Sequence, residues 1–204
     1  MSRIARRVAY HWLMAGLLLF GANLGVVRSA HGQAEATATK ALGLSAFGAV
    51  SRGSTDYSNG GYGYLFGGDA TRHFRWFDPS VEVRYAYGQG SAVTEKTLSG
   101  GIKVEKRLGP GGRIHPYADV MIGYGVIDFK RPAIYPTGPY KSDNSTVYSM
   151  GGGADVDLTS HFAVKGDFEY NSWKLGTEYS RLTPMAVSVG VLYRFQFRAL
   201  GSRH

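Results

Sequence analysis

Met185-Ala-Val-Ser-Val-Gly-Val-Leu-Tyr-Arg-Phe-Gln-Phe197 alternates from end to end. Met185, Val187, Val189, Val191, Tyr193, Phe195 and Phe197 share one face, and Ala186, Ser188, Gly190, Leu192, Arg194 and Gln196 share the other. Period two is a β-strand. A soluble barrel needs a greasy core and a wet exterior. Here the face with seven apolar residues closes in three aromatics, while the opposite face is small or polar. Lipid on the outside and a polar lumen within account for that pattern.

Working outward from this strand, the same alternation recurs in seven earlier segments: residues 42–50, 61–70, 80–87, 97–108, 114–129, 147–158 and 162–170. Segment 80–87 sets Val81, Val83, Tyr85 and Tyr87 against Glu82 and Arg84. Segment 162–170 sets Phe162, Val164, Phe168 and Tyr170 against Lys165, Asp167 and Glu169. Eight such segments predict an all-β fold, an eight-stranded antiparallel up-and-down transmembrane β-barrel, since an even count closes without leaving an edge. Connections 108–113 and 159–161 are tight and 71–79 is moderately so. Connections 52–60, 88–96, 130–146 and 171–184 are longer and rich in Ser, Thr, Asn, Gly and Pro. Turns in the periplasm and loops outside the cell are expected from that asymmetry.

The first 34 residues read as an export signal. Arg3, Arg6 and Arg7 precede the largely apolar stretch 8–19, and Gly32 and Ala34 are small residues suited to a cut. Cleavage after Ala34 removes four arginines and no acid, so the formal charge falls from +8 to +4. The remaining charges alternate in sign along strands and form no basic run with interleaved aromatics, which argues against a nucleic-acid partner. The absence of cysteine excludes disulfides, thiolate metal ligands and a Cys nucleophile. The expected organisation is a signal peptide at 1–34, a barrel at 35–197 and a short periplasmic tail at 198–204.

Ile114-His-Pro-Tyr-Ala-Asp-Val-Met-Ile-Gly-Tyr-Gly125, the stretch from Gly151 to Tyr170, and Val187-Ser-Val-Gly-Val-Leu-Tyr-Arg-Phe195 together resemble the small bacterial outer-membrane β-barrel domain, the group that includes the OmpA-like and opacity-type barrels. The resemblance implies residence in the outer membrane of a Gram-negative-type envelope, contact with its lipid, and delivery by the barrel-assembly machinery through the C-terminal strand. Phe195 and Phe197 are the two candidates for the terminal aromatic that this machinery reads. No peptidoglycan-binding segment follows the eighth strand, so no cell-wall anchoring is expected.

With apolar faces to lipid, Glu82, Arg84, Lys103, Glu105, Arg107, Asp119, Asp155, Asp157, Lys165, Asp167, Glu169 and Arg194 point inward. Buried charges need partners, and this near-balanced set predicts a paired network that fills a narrow lumen, with Lys165 and Lys103 neutralising the carboxylate pairs Asp155/Asp157 and Asp167/Glu169. Ser160 beside His161 is the one nucleophile-base juxtaposition in the chain, and adjacent turn residues rarely reach working geometry. Neither a metal site, nor a cofactor site, nor a catalytic set is expected. Aromatic residues Phe74, Trp76 and Phe77 at one end, and Trp173, Tyr179, Tyr135 and Tyr140 at the other, fit two interfacial girdles. A structural or surface-interaction role through the loops, with an extracellular ligand as partner, is the expected function. A narrow porin and a lipid-modifying outer-membrane enzyme are the alternatives. A soluble calycin-like barrel is a different class, and it requires the charged face to be outside.

Overall fold

The computed structural model describes residues 42–55, 58–135, 138–174 and 181–195. The expected leader, the tail 198–204, Phe197 and Tyr179 lie outside the described residues, as do the side chains of Tyr135 and Tyr140.

Nine strands form one antiparallel sheet: β1 (Leu42–Thr55), β2 (Ser58–Arg72), β3 (Asp78–Gln89), β4 (Val93–Glu105), β5 (Ile114–Tyr135), β6 (Gly138–Asp157), β7 (Phe162–Lys174), β8 (Arg181–Leu182) and β9 (Met185–Phe195). Each strand from β1 to β7 pairs with its successor, β7 pairs with β9, and β9 pairs with β1 from Leu44↔Phe195 to Ser54↔Met185. The sheet therefore closes into a barrel of eight staves. β8 is a two-residue addition that pairs only with β7. Pro184, which has no N–H to give to a ladder, separates it from β9, and the Pro184 carbonyl instead accepts from the Asn171 N–H at 2.8 Å.

Side chains divide as the alternation requires. Val81, Val83, Leu98, Ile102, Val120, Ile122, Tyr148, Met150, Val187, Val189 and Val191 project outward. Glu82, Arg84, Lys103, Glu105, Asp119, Asp155, Lys165, Asp167 and Glu169 are buried inside. The soluble calycin-like reading is overturned by this placement: a ligand-binding soluble barrel would have its polarity reversed. Outward aromatics meet across neighbouring strands, Tyr64 stacked on Tyr87 and Phe66 tilted against Tyr85, both at 5.1 Å between ring centres.

One end of the barrel carries the turns β2–β3, β4–β5 and β6–β7, together with the start of β1 and the end of β9; we call it the turn end. At the opposite end the expected long loops are largely strand. β1 and β2 run to within two residues of each other, β3 and β4 are joined by residues 90–92, and β5 and β6 continue as a hairpin to Tyr135 and Gly138. This hairpin, the arm, passes an irregularity between Asp128 and Ala133 and extends beyond the last pairing of β5 with β4 at Phe129. The segment 130–146 carries no apolar alternation because it leaves the band where one face must meet lipid, so its strand character is absent from the pattern.

Candidate functional site

The interior is the only part of the described structure where charge is concentrated away from solvent, and it is built in layers. Arg84, on β3, stands at its centre. Its guanidinium donates to Glu82 at 2.7 and 3.0 Å, to Glu169 at 2.8 Å and to Asp167 at 3.1 Å, with Asp119 at 3.6 Å. Lys103 on β4 reaches Asp69 at 2.7 Å and Glu105 at 3.5 Å. Lys165 on β7 lies 3.8 Å from Asp155 and sits over two aromatic faces, 3.9 Å from the centre of Tyr117 and 4.9 Å from that of Phe47. Tyr117 donates to Asp167 at 2.6 Å and so ties the lysine layer to the arginine layer. Arg84, Lys103 and Lys165 each expose 1% of their surface. A water-filled passage alongside them would leave them far more accessible.

The network differs from its expected form in three respects. Asp167 and Glu169 are neutralised by Arg84, and only Asp155 takes Lys165. Asp69, Asp78 and His115 are buried members that the pattern did not single out. Arg107 is exposed at the rim and holds Asp78 at 2.8 Å, rather than pointing into the centre. His115, the second residue of segment 114–129, turns inward at the turn end, where its Nε2 lies 3.0 Å from Asp157, which also binds Arg194 at 3.0 Å. The i, i+2 spacing of His115 with Tyr117 and Asp119, all on the inward face, was the available signal.

Towards the arm end the filling becomes apolar. Val93, Ile127, Val147, Trp173 and Leu182 form a buried cluster, with Ala92 and Phe129 against it. Trp173 is thus a lumen residue and not part of a girdle. The indole has room because position 125 is glycine: a Cβ there would come within 2.6 Å of the ring. β8 exists to deliver Leu182 to this cluster, opposite Trp173. Beside it, between Leu65, Ala86, Glu169, Asn171 and Trp173, a cavity of about 80 Å³ opens towards the arm end.

Little in the interior suits chemistry. Ser160 Oγ does lie 3.0 Å from His161 Nδ1, so the contact exists, but it is on an exposed turn with the imidazole stacked on Tyr193 at 6.0 Å. Among the described residues no three His, Asp or Glu side chains converge as a metal site would require. Gly67-Gly68 and Gly151–Gly153 lie within β2 and β6 and open no helix, so they do not form a phosphate loop.

A closed antiparallel barrel with an apolar exterior and an ionic interior is the architecture of one membrane. The model of the outer membrane protein beta-barrel domain matches residues 17–195. The chain belongs to that family. This outer-membrane barrel resembles in structure Ail, the attachment invasion locus protein of Yersinia pestis, with a TM-score of 0.51 and 15% identity over 76% of this chain and 97% of Ail. Neisserial surface protein A is similar at a TM-score of 0.49 and 14% identity over 76% of this chain and 97% of its own. OprG of Pseudomonas aeruginosa follows at 0.42 and 10%, over 77% and 97%. No curated protein sequence matches. The barrel resides in the outer membrane, where a Lys or Arg on the lipid face would cost about 2–4 kcal/mol at the midplane. That cost is what enforces the alternation.

Proposed function

We propose that this barrel is a closed, non-catalytic scaffold that presents the β5–β6 arm at the cell surface to an anionic partner. The observation that carries the reading is the arm itself, a hairpin standing beyond the barrel wall with Lys130, Arg131 and Lys141 exposed on it. Both chain ends of the barrel lie at the turn end, which supports a periplasmic turn end and an arm outside the cell. In this reading residues 1–34 are an export signal removed in the envelope, 35–197 fold as the barrel under the assembly machinery, and 198–204 remain as a periplasmic tail. Three exposed cations on the hairpin, of which Lys130 also donates to the Gly90 carbonyl at 2.7 Å, favour a polyanionic surface, such as a sulfated or phosphorylated glycan.

The test replaces residues 130–142 by a two-residue Asn-Gly turn and measures retention of barrel-bearing outer-membrane vesicles on dextran sulfate against neutral dextran. Salt-sensitive retention that is lost with the arm is expected. Equal retention of the trimmed barrel would refute the reading. A narrow porin is the second reading, favoured by the cavity beside Trp173, and it requires steady conductance in a planar bilayer. The packed Arg84 network supports none.

A further inference from the structure

At the turn end, the connection between β2 and β3 carries more exposed aromatic surface than its length requires. Trp76 is 75% exposed, and Phe74 and Phe77 are about half exposed. Phe74 and Phe77 stack at 6.0 Å. Two arginines lie on these rings: the Arg72 guanidinium is 5.2 Å from the centre of Phe74 and that of Arg75 is 5.7 Å from the centre of Trp76. The turn is held in shape by Asp78, which is buried and accepts the Phe74 N–H at 2.9 Å through one oxygen and Arg107 Nε at 2.8 Å through the other. Arg107 also donates to His73 Nδ1 at 2.6 Å. The β4–β5 turn thereby braces the β2–β3 turn from below. Arg72 and Arg75 stand apart from this bracing and from the ion pairs of the described residues, so both charges face outward.

We infer that the β2–β3 turn is a binding site for the headgroup of an anionic phospholipid. Arg72 and Arg75 take the phosphate while Phe74, Trp76 and Phe77 seat in the interface beneath it. A guanidinium lying over a ring gives up none of its N–H groups to another charge, which leaves its fork for a two-point contact with phosphate. The rings identify the source of that phosphate. A soluble anion would leave three apolar side chains in water, whereas a lipid places them at headgroup depth, where Trp and Phe are stable. A zwitterionic headgroup gives the arginines less, because its own cation opposes theirs. The inference goes beyond the proposed surface role, at the other end of the barrel.

The chain has three tryptophans, Trp12, Trp76 and Trp173, so the W12F/W173F variant reports on Trp76 alone whether or not the leader is cut. Refolded into equimolar vesicles of phosphatidylglycerol and phosphatidylcholine, its emission is read with bromine on the acyl chains of one lipid and then of the other. Stronger quenching by the brominated phosphatidylglycerol is expected, with a local enrichment of about fivefold per arginine as the upper bound. The preference should vanish in R72Q/R75Q, whose substituted residues are both exposed, while heat-dependent gel mobility is retained. If W173F prevents folding, the difference between W12F and W12F/W76F supplies the same reading. Equal quenching by both lipids, or a preference that survives R72Q/R75Q, would overturn the inference.

Discussion

The two halves of the lumen differ in their filling: one holds the buried ion pairs, the other is closed by an apolar cluster. From the centre to the turn end the charges gather, with Arg84 alone meeting four carboxylates, while Phe47, Ala49, Leu65, Ala163 and Leu192 form a separate apolar cluster on the β1–β2–β7–β9 side. At the arm end the filling is apolar, with Trp173 packed among Val93, Ile127, Val147 and Leu182. The exterior changes too: apolar along the lipid band, it carries the exposed Lys96–Asp128 pair, 3.0 Å apart, at the level of the arm-end cluster. An ionic layer holds only while complete, since each charge is desolvated at a cost that its partners alone offset. An apolar layer degrades by increments of volume. The apolar cluster covers much of the arm end, and the cavity beside Trp173 reaches down to Glu169, one of the carboxylates of Arg84.

The comparison breaks most sharply at Arg84. R84A leaves Glu82, Asp119, Asp167 and Glu169 without their shared cation and is expected to cost about 3–5 kcal/mol, read from urea unfolding of the barrel in vesicles. It should also open ion conductance in a planar bilayer; a stable, silent R84A would show that the ionic half is not one network. W173A tests the other half, with an expected loss of about 3 kcal/mol that grows smoothly through W173F and W173L and scales with volume removed. Next in size is G125A, which puts a methyl against the indole and should cost about 1–3 kcal/mol in the same assay, restored in part by W173F. The smallest effect is expected outside both halves. K130Q/R131Q/K141Q should move stability by no more than about 0.5 kcal/mol while removing retention on dextran sulfate.

Inside and outside were legible in the sequence, because a strand with one face in lipid must alternate, and a one-residue slip would place Glu82 and Arg84 in the membrane. What each inward residue meets was not legible. Arg84 and Glu169 are 85 residues apart and meet because four strand registers add up around the closed barrel, a sum that no local pattern contains. Lysines at neighbouring inward positions looked like the partners of Asp167 and Glu169, yet the reach and fork of arginine took both. Trp173 sits in a Ser/Asn-rich stretch that reads as loop, and only the return of Leu182 across from it turns the ring inward. The arm was hidden for the opposite reason. Beyond the lipid band nothing enforces period two, and Pro132 and Pro139 argue against a strand.

The seam between β1 and β9 sets a schedule. Leu44 pairs with Phe195 and Ser54 with Met185, so the first stave has its second neighbour only once the last has been made. Until then the growing sheet carries two open edges, flanked by outward valines and aromatics, and any other chain in transit is a competing template for them. Closure spans nearly the whole barrel sequence and is correspondingly slow. For this molecule the hazardous interval is the journey, and a carrier that masks the β1 edge would govern its yield more than any contact in the finished barrel.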